Sequence, residues 1–398
     1  YALDNITTGN TCTAVGYQTL NNNTASNNSA FGSTALATNS TGAQNSAFGH
    51  GALVTNSTGS DNSAFGYIAL YSNTTGGQNT AVGREALYLN TTASNNTAFG
   101  YRALFVNTTG TSNVAVGALA LDANTTGNNN VGLGKEALTA NTTGAQNIAI
   151  GGNALNANTT ASNNTAVGYL ALLTNTTGSE NTAVGKEALN TNNGSNNSAF
   201  GVTSMYANTT GAQNTAVGQS SLKANTTGSY NTAVGRTAMF ANTTASNNTA
   251  VGYAALTANT TGATNTACGD NALAKNTTAS NNAAFGYRAL EENTTGHSNT
   301  AVGTEALREM NVGIRNTAVG YIALFNATDS GSGTPNDNTA VGYDALGDLT
   351  HGYANLAVGA WAGNNVTTGY SNVYVGDNAG NTHATGNACV YVGRACDC

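Results

Sequence analysis

The stretch ANTTGAQNTAVG, residues 207–218, recurs with small changes along the chain. Taking the Gly of each AVG or AFG string as position 0 gives 23 copies, from Gly16 to Gly393. Nineteen of the 22 intervals between these glycines are 17 residues long, two are 16 (ending at Gly32 and Gly201) and one is 22. A fixed short period of this kind predicts a solenoid, in which each repeat forms one coil.

Two apolar positions recur in each coil and predict its core. Position −1, such as Val217, is apolar except for Cys268, and position 4 is Leu as far as Leu346 apart from Met205 and Met239, with Ala at positions −2 and 3. Turn residues interrupt each coil too often for the apolar stripe of a helix, whereas short runs bounded by Gly, Asn and Thr favour strands. We therefore expect an all-β parallel β-solenoid of about 23 coils, stacked about 4.8 Å apart, with positions −1 and 4 pointing inward.

The pattern also divides the chain. Residues 1–346 form the regular repeats, with an inserted loop at 326–337 that contains the one Pro. Residues 347–398 diverge: Gly380 stands at the Leu position and Tyr374 at the position −2 Ala. Terminal repeats of solenoids are often atypical, so we interpret this segment as capping or subunit-docking coils.

Composition argues against several classes of protein. The net charge of −7 arises from only 7% charged residues, so the sequence predicts no nucleic-acid partner. No apolar run approaches the roughly 18 residues of a membrane-spanning helix, so no membrane insertion is expected. Because the chain starts in mid-pattern without Met, we interpret it as a processed or truncated piece.

The strand strings resemble those of a known family. TAVG, SAFG and IAIG, the last at residues 148–151, are similar to the AIG-type strings of YadA-like head repeats in trimeric autotransporter adhesins. They also resemble the NTAVGYxAL repeat arrays of tail-fibre and surface-fibre proteins. The resemblance implies a left-handed β-roll, often trimeric, used for adhesion or as a stalk. The 17-residue coil is longer than that family's repeat, and position −3 is usually Thr or Ser here.

Asn-x-Ser/Thr sequons are the main candidate modification sites, because they accept N-linked glycans in secreted proteins. Fifteen lie at position 7 of their coils, and five lie in irregular coils. Asn and Thr are also common in turns and in stacked polar ladders, so a bare turn is the alternative to a glycosylated ridge. The twenty candidates are Asn5, Asn22, Asn39, Asn56, Asn73, Asn90, Asn107, Asn124, Asn141, Asn158, Asn175, Asn193, Asn208, Asn225, Asn242, Asn259, Asn276, Asn293, Asn326 and Asn365.

The irregular coils favour the glycosylated ridge. A sequon persists at Asn22, Asn193, Asn326 and Asn365, although each is displaced by one residue from the regular site. An internal ladder would need Asn at a constant place in the coil, so this displacement indicates an exposed modification site. A second set of sequons, Asn27, Asn95, Asn163, Asn196 and Asn247, comes just before the strand, and we interpret it as a row of turn residues.

Four of the five cysteines lie near the chain ends. Cys12 and Cys389 both occupy position −4, in the first and last complete coils, and Cys396 and Cys398 close the chain. They suggest disulfides and an oxidising compartment, either within an end coil or between subunits stacked head to tail. Their spacing matches no zinc motif. Cys268, at position −1, is expected to be a buried small hydrophobe.

The sequence carries no nucleophile motif or phosphate loop, and its four His fall at unrelated coil positions, so we expect no enzyme, cofactor, metal site or catalytic residues. The favoured function is a structural subunit of an extracellular or cell-surface fibre, glycosylated along the Asn-Thr-Thr ridge. The alternative is an adhesin head or phage-type tail fibre that binds a receptor, with the variable positions 1, 2, 5 and 6 as its binding face.

Overall fold

The computed structural model describes residues 10–328, 334–382 and 384–396. Over these residues the chain is built from 23 three-residue β-strands joined by turns, and it contains no helix. This confirms the all-β solenoid with a 17-residue repeat. The chain forms two compact units, Tyr1–Asn196 and Asn197–Cys398.

In the first unit each strand pairs in parallel with the next strand of the sequence, so that equivalent residues of successive coils lie side by side. Its strands are β1 Thr13–Val15, β2 Ser29–Phe31, β3 Ser46–Phe48, β4 Ser63–Phe65, β5 Thr80–Val82, β6 Thr97–Phe99, β7 Val114–Val116, β8 Val131–Leu133, β9 Ile148–Ile150, β10 Thr165–Val167 and β11 Thr182–Val184.

The second unit repeats this arrangement with the same parallel, in-register pairing. Its strands are β12 Ser198–Phe200, β13 Thr215–Val217, β14 Thr232–Val234, β15 Thr249–Val251, β16 Thr266–Cys268, β17 Ala283–Phe285, β18 Thr300–Val302, β19 Thr317–Val319, β20 Thr339–Val341, β21 Leu356–Val358, β22 Val373–Val375 and β23 Val390–Val392.

The strand side that faces the interior carries alanine. Ala216, at position −2, is fully buried, whereas its neighbour Val217 is 38% exposed. Successive side chains of a strand point to opposite faces, so only one of these two positions can be interior. The prediction that position −1 points inward is therefore wrong. Cys268, which shares that position, is exposed rather than buried.

The leucine at position 4 is buried as predicted, and it lies in an unusual backbone conformation. Leu222 is fully buried and has φ of 51°, in the left-handed region, as do its equivalents in other coils. A non-glycine residue pays about 1–2 kcal/mol for this conformation. Full burial of a Leu side chain contributes about 1.5–3 kcal/mol and offsets that strain. Position 4 thus turns the chain sharply while filling the core.

The divergent C-terminal coils follow the same backbone path as the regular coils, but different residues fill their interior. Tyr374 is fully buried, its ring stacks on that of Tyr391 at 5.4 Å, and burial raises the pKa of its hydroxyl. A Cβ on Gly380 would lie 2.2 Å from Cδ1 of Tyr374. The tyrosine ring therefore occupies the space that a leucine fills in the regular coils, which explains why Gly and Tyr appear together. That these coils cap the chain or dock a subunit stays a prediction.

Candidate functional site

The asparagine at position 7 lies in the interior of the coil. Asn208 is fully buried, and its Nδ2 donates to the carbonyl of Gly211 at 2.8 Å. Its Oδ1 accepts a hydrogen bond from Nδ2 of Asn225 in the next coil at 2.7 Å. The same bond to the neighbouring coil recurs at the equivalent asparagines, so these side chains form an amide ladder in the first unit and, in the second unit, from Asn208 to Asn293.

The displaced sequons have a structural explanation. In the two 16-residue coils the ladder place is filled by the neighbouring residues Asn23 and Asn192, which are buried, while Asn22 and Asn193 lie outside and are exposed. Four later coils fill the same place with buried apolar side chains, namely Met310, Ala327, Leu349 and Val366. The ladder therefore does hold a constant place in the coil, and the displaced sequons are not members of it.

The interpretation of the position 7 asparagines as an outward ridge is therefore wrong. Each of the fifteen is fully buried, and a glycan on Nδ2 would displace its bonds to the same coil and to the preceding one. The folded coil leaves no room for such a group. These residues are Asn39, Asn56, Asn73, Asn90, Asn107, Asn124, Asn141, Asn158, Asn175, Asn208, Asn225, Asn242, Asn259, Asn276 and Asn293.

The remaining candidates differ in exposure. Asn22, Asn193 and Asn365 are exposed, Asn326 is half-buried, and Asn5 lies outside the described residues. All five asparagines of the second sequon set are exposed and have left-handed φ angles, which confirms their role as turn residues: Asn27, Asn95, Asn163, Asn196 and Asn247. The sequons that an enzyme could reach on the folded coil are therefore those that stand outside the regular Asn-Thr-Thr row.

A second buried ladder was missed at position −4. Asn214 is 1% exposed, its Nδ2 donates to the carbonyl of Gly228 at 2.8 Å, and its Oδ1 accepts the backbone N–H of Asn231 at 2.9 Å. Position −4 is Asn in 21 of the 23 coils, whether or not a sequon is present. The constancy of Asn at this position is the sequence signal for a buried ladder, because a turn position would also tolerate Asp, Ser or Gly.

The end cysteines take the place of this second ladder. Cys12 and Cys389 stand at position −4 of the first and last strands and are half-buried, and Cys396 is exposed. Cys398 lies outside the described residues. No disulfide joins the described cysteines, and the inter-subunit pairing of Cys12, Cys389, Cys396 and Cys398 stays a prediction.

The outer face of the strands is apolar and aromatic. We call the position −1 side chains and the position 1 tyrosines the outer row. Rings of Phe31, Phe48 and Phe65 stack at 4.7 and 4.8 Å, which matches the spacing of adjacent strands. The eight tyrosines are between 41% and 64% exposed: Tyr17, Tyr67, Tyr101, Tyr169, Tyr253, Tyr287, Tyr321 and Tyr343.

Charged side chains pair with each other along and between coils. Lys275 Nζ lies 2.6 Å from Glu292 Oε2 in the next coil, and Lys135 Nζ lies 3.3 Å from Oε1 of its neighbour Glu136. Over the described residues the structure contains no ligand-sized cavity and no group of His, Cys, Asp or Glu arranged to hold a metal. Within that part of the chain no helix is long and apolar enough to cross a membrane.

Comparison with protein-family models and with curated proteins finds no match to this chain.

Proposed function

We propose that the protein is a structural subunit of an extracellular fibre, in which copies stack head to tail through their terminal coils. The observation that carries this proposal is the exposure of the two terminal strands. Among the described residues β1 pairs only with β2, and β23 only with β22. Val390 and Val392 of β23 are 69% and 65% exposed, against 38% for Val217 in an inner coil.

The two ends offer complementary backbone groups. In inner coils the N–H at position −3 donates to the position −4 carbonyl of the next coil, as Thr215 does to Asn231 at 2.8 Å and Val373 to Cys389 at 2.9 Å. At the last coil the corresponding donor is the N–H of Val390. At the first coil the corresponding acceptor is the carbonyl of Cys12. Unpaired edges of this kind are templates for pairing with another chain, so a second copy fits the uncovered edge as the next coil.

An extracellular location is part of the proposal. Cysteines at both ends suit an oxidising compartment, where disulfides form and persist. We also propose that any N-linked glycans are confined to the exposed sequons and are attached after folding. Modification of the unfolded chain at Asn208 or its equivalents would block formation of the buried ladder.

Electron microscopy of a proline variant tests the fibre. Val390→Pro removes the backbone N–H that would pair with a stacked copy, and it leaves the hydrogen bonds between inner coils intact. The control Val390→Thr keeps both the N–H and the β-branched shape. We expect the unchanged protein and Val390→Thr to form fibres whose length grows with concentration, and Val390→Pro to remain as single particles. Single particles of the unchanged protein, or equally long fibres of the proline variant, would contradict the proposal.

Peptide mass mapping of the protein from its native source tests the glycans. Among the described sequons we expect sugar on the exposed set, which comprises Asn22, Asn193 and Asn365 and the second sequon set, because their side chains are exposed to solvent. The position 7 peptides, such as the one containing Asn208, serve as internal controls and should carry the unmodified mass. Substantial sugar on those peptides would be incompatible with the buried ladder.

A receptor-binding role is the second candidate, and the outer row favours it. Exposed tyrosines beside apolar side chains are the composition of many recognition surfaces. This role predicts that the Val390→Pro monomer still adheres to its target cells and that Tyr67→Ser with Tyr101→Ser weakens adhesion. If adhesion instead requires only that fibres form, the structural role is sufficient to explain it.

A further inference from the structure

Position −4 is occupied by a cysteine in the first coil of the first unit and in the last coil of the second unit. All 21 coils between the first and the last have Asn at this position, and only the two terminal coils have Cys, namely Cys12 and Cys389. Two cysteines placed at random along the chain would rarely fall at the same interior position of their coils. The two substitutions therefore lie in the two coils whose strands pair with a described strand on one side only.

The ladder's own bonds show what each cysteine changes. Asn372 Oδ1 accepts the backbone N–H of Cys389 at 2.9 Å, so Cys389 continues the ladder as a donor. Its side chain has no amide oxygen to offer a following coil. At the other end Cys12 lies beside the first ladder, because Asn23 Nδ2 approaches its Sγ at 3.4 Å. Each thiol thus stands at the inner wall of its coil, next to an edge that no described residue covers.

We propose that Cys389 of one copy forms a disulfide with Cys12 of a second copy stacked on β23. The strands of each unit follow one register, in which equivalent positions pair across coils. A second copy that adopts this register places its Cys12 directly over Cys389, with Cα atoms about 4.8 Å apart. Disulfides span Cα separations of about 4.4–6.8 Å, which include this spacing, and the two Cβ atoms must approach to about 3.5–4.5 Å as the bond forms.

The same register excludes the other terminal cysteines as partners. Cys396 stands at position 3 and Cys398 at position 5, and the next coil of the second copy has Thr19 and Asn21 at these positions. Residues 395–398 of one copy and residues 1–4 of the next fall at the same positions of the joining coil, so stacking in this register displaces one of these two segments. The pairing of Cys12 with Cys389 is the one that requires no shift along the coil. This inference rests on the proposed stacking and names the bond that locks it.

The chemistry is an ordinary thiol oxidation. Two thiols lose two protons and two electrons as the S–S bond forms, and a disulfide oxidant such as oxidised glutathione takes them up and becomes two thiols. The bond then lies between stacked coils, where a reductant has poor access. Oxidation would thus convert a reversible stack into a covalent fibre.

Five single Cys→Ser variants test the pairing on non-reducing gels after treatment with oxidised glutathione. We expect a ladder of covalent multimers for the unchanged protein and for Cys268→Ser, Cys396→Ser and Cys398→Ser. Cys12→Ser and Cys389→Ser alone should stay monomeric on the gel. An equal mixture of these last two should give a covalent dimer and nothing larger, because only one complementary pair of thiols remains.

The outcomes separate this inference from the proposed function. Fibres under the microscope without covalent multimers on the gel, or covalent multimers that persist in Cys12→Ser, would overturn the disulfide while leaving the stacking intact. Loss of the covalent multimers in Cys396→Ser would also overturn the pairing of Cys12 with Cys389. The absence of both fibres and covalent multimers would instead refute the stacking. A thiol reagent added under denaturing conditions should convert the covalent multimers of the unchanged protein to monomers on the gel.

Discussion

Replacing Gly151 with Ala is expected to lower the free energy of unfolding by more than about 4 kcal/mol, among the largest effects a single substitution produces. Gly151 is a position 0 glycine with φ of +132°, a conformation that L side chains rarely adopt. An added Cβ would lie 2.6 Å from the carbonyl oxygen of Gly168 in the next coil. That neighbour is backbone, and it cannot move aside without breaking the stacking.

The adjacent glycine supplies the matched control. A Cβ on Gly152 would meet nothing closer than 3.5 Å, at the ring of Tyr169, and other coils carry Tyr, Arg or Lys at this position. Gly152→Ala should change stability by less than about 0.5 kcal/mol. Denaturant unfolding followed by circular dichroism, with hydrogen exchange to locate the loosened coils, measures both variants. A similar loss of unfolding free energy in the two variants would contradict the close contact between the position 0 glycines of adjacent coils.

Replacing Asn208 with Ala is expected to cost about 1–3 kcal/mol, because it removes two buried hydrogen bonds, each worth about 0.5–1.5 kcal/mol. Nδ2 of Asn225 would lose its bond to Asn208 Oδ1 at 2.7 Å but keep its bond to Gly228. The carbonyl of Gly211 would lose its bond from Asn208 Nδ2 at 2.8 Å but keep its bond from Asn197. Hydrogen exchange in the coils on either side should rise, since repeat stability depends on neighbouring coils.

Thr210→Ala is the control for this experiment, because it destroys the same sequon while changing an exposed side chain. The buried ladder predicts near-unchanged stability for Thr210→Ala, within about 0.5 kcal/mol. A glycosylated Asn208 predicts instead that the two variants lose the same sugar and behave alike. Equal destabilisation of both in glycosylated material, with none in material lacking sugar, would refute the ladder.

The sequence predicted the solenoid because its period is nearly constant and no helix fits within it. It also predicted the buried leucine, since Leu at position 4 recurs with few exceptions. The orientation of the strand was wrong for a physical reason. A three-residue strand such as Thr215–Val217 must put either its middle or its flanking side chains inward, and hydrophobicity alone favours the valine. The interior of so small a coil instead takes Ala216, which is short enough to fit.

The asparagine ladders could not be predicted from polarity, because Asn is usually exposed. Here the coil's turns leave carbonyls such as that of Gly211 pointing inward, and a buried carbonyl needs a donor. The amide of Asn supplies a donor for its own coil and an acceptor for the next. A repeated Asn at a constant distance from the glycine, as at position −4, is the pattern that distinguishes such a ladder from a row of turns.

A density map of the assembled protein by electron cryomicroscopy, at a resolution that shows side chains, would reveal the buried asparagine ladder and the orientation of the strands together. We expect the amide of Asn208 to lie inside the coil, within hydrogen-bond distance of Asn225 and Gly211, with no sugar attached and with Val217 facing solvent. Asn208 pointing outward with sugar density on Nδ2, and Val217 packed in the interior, would contradict it.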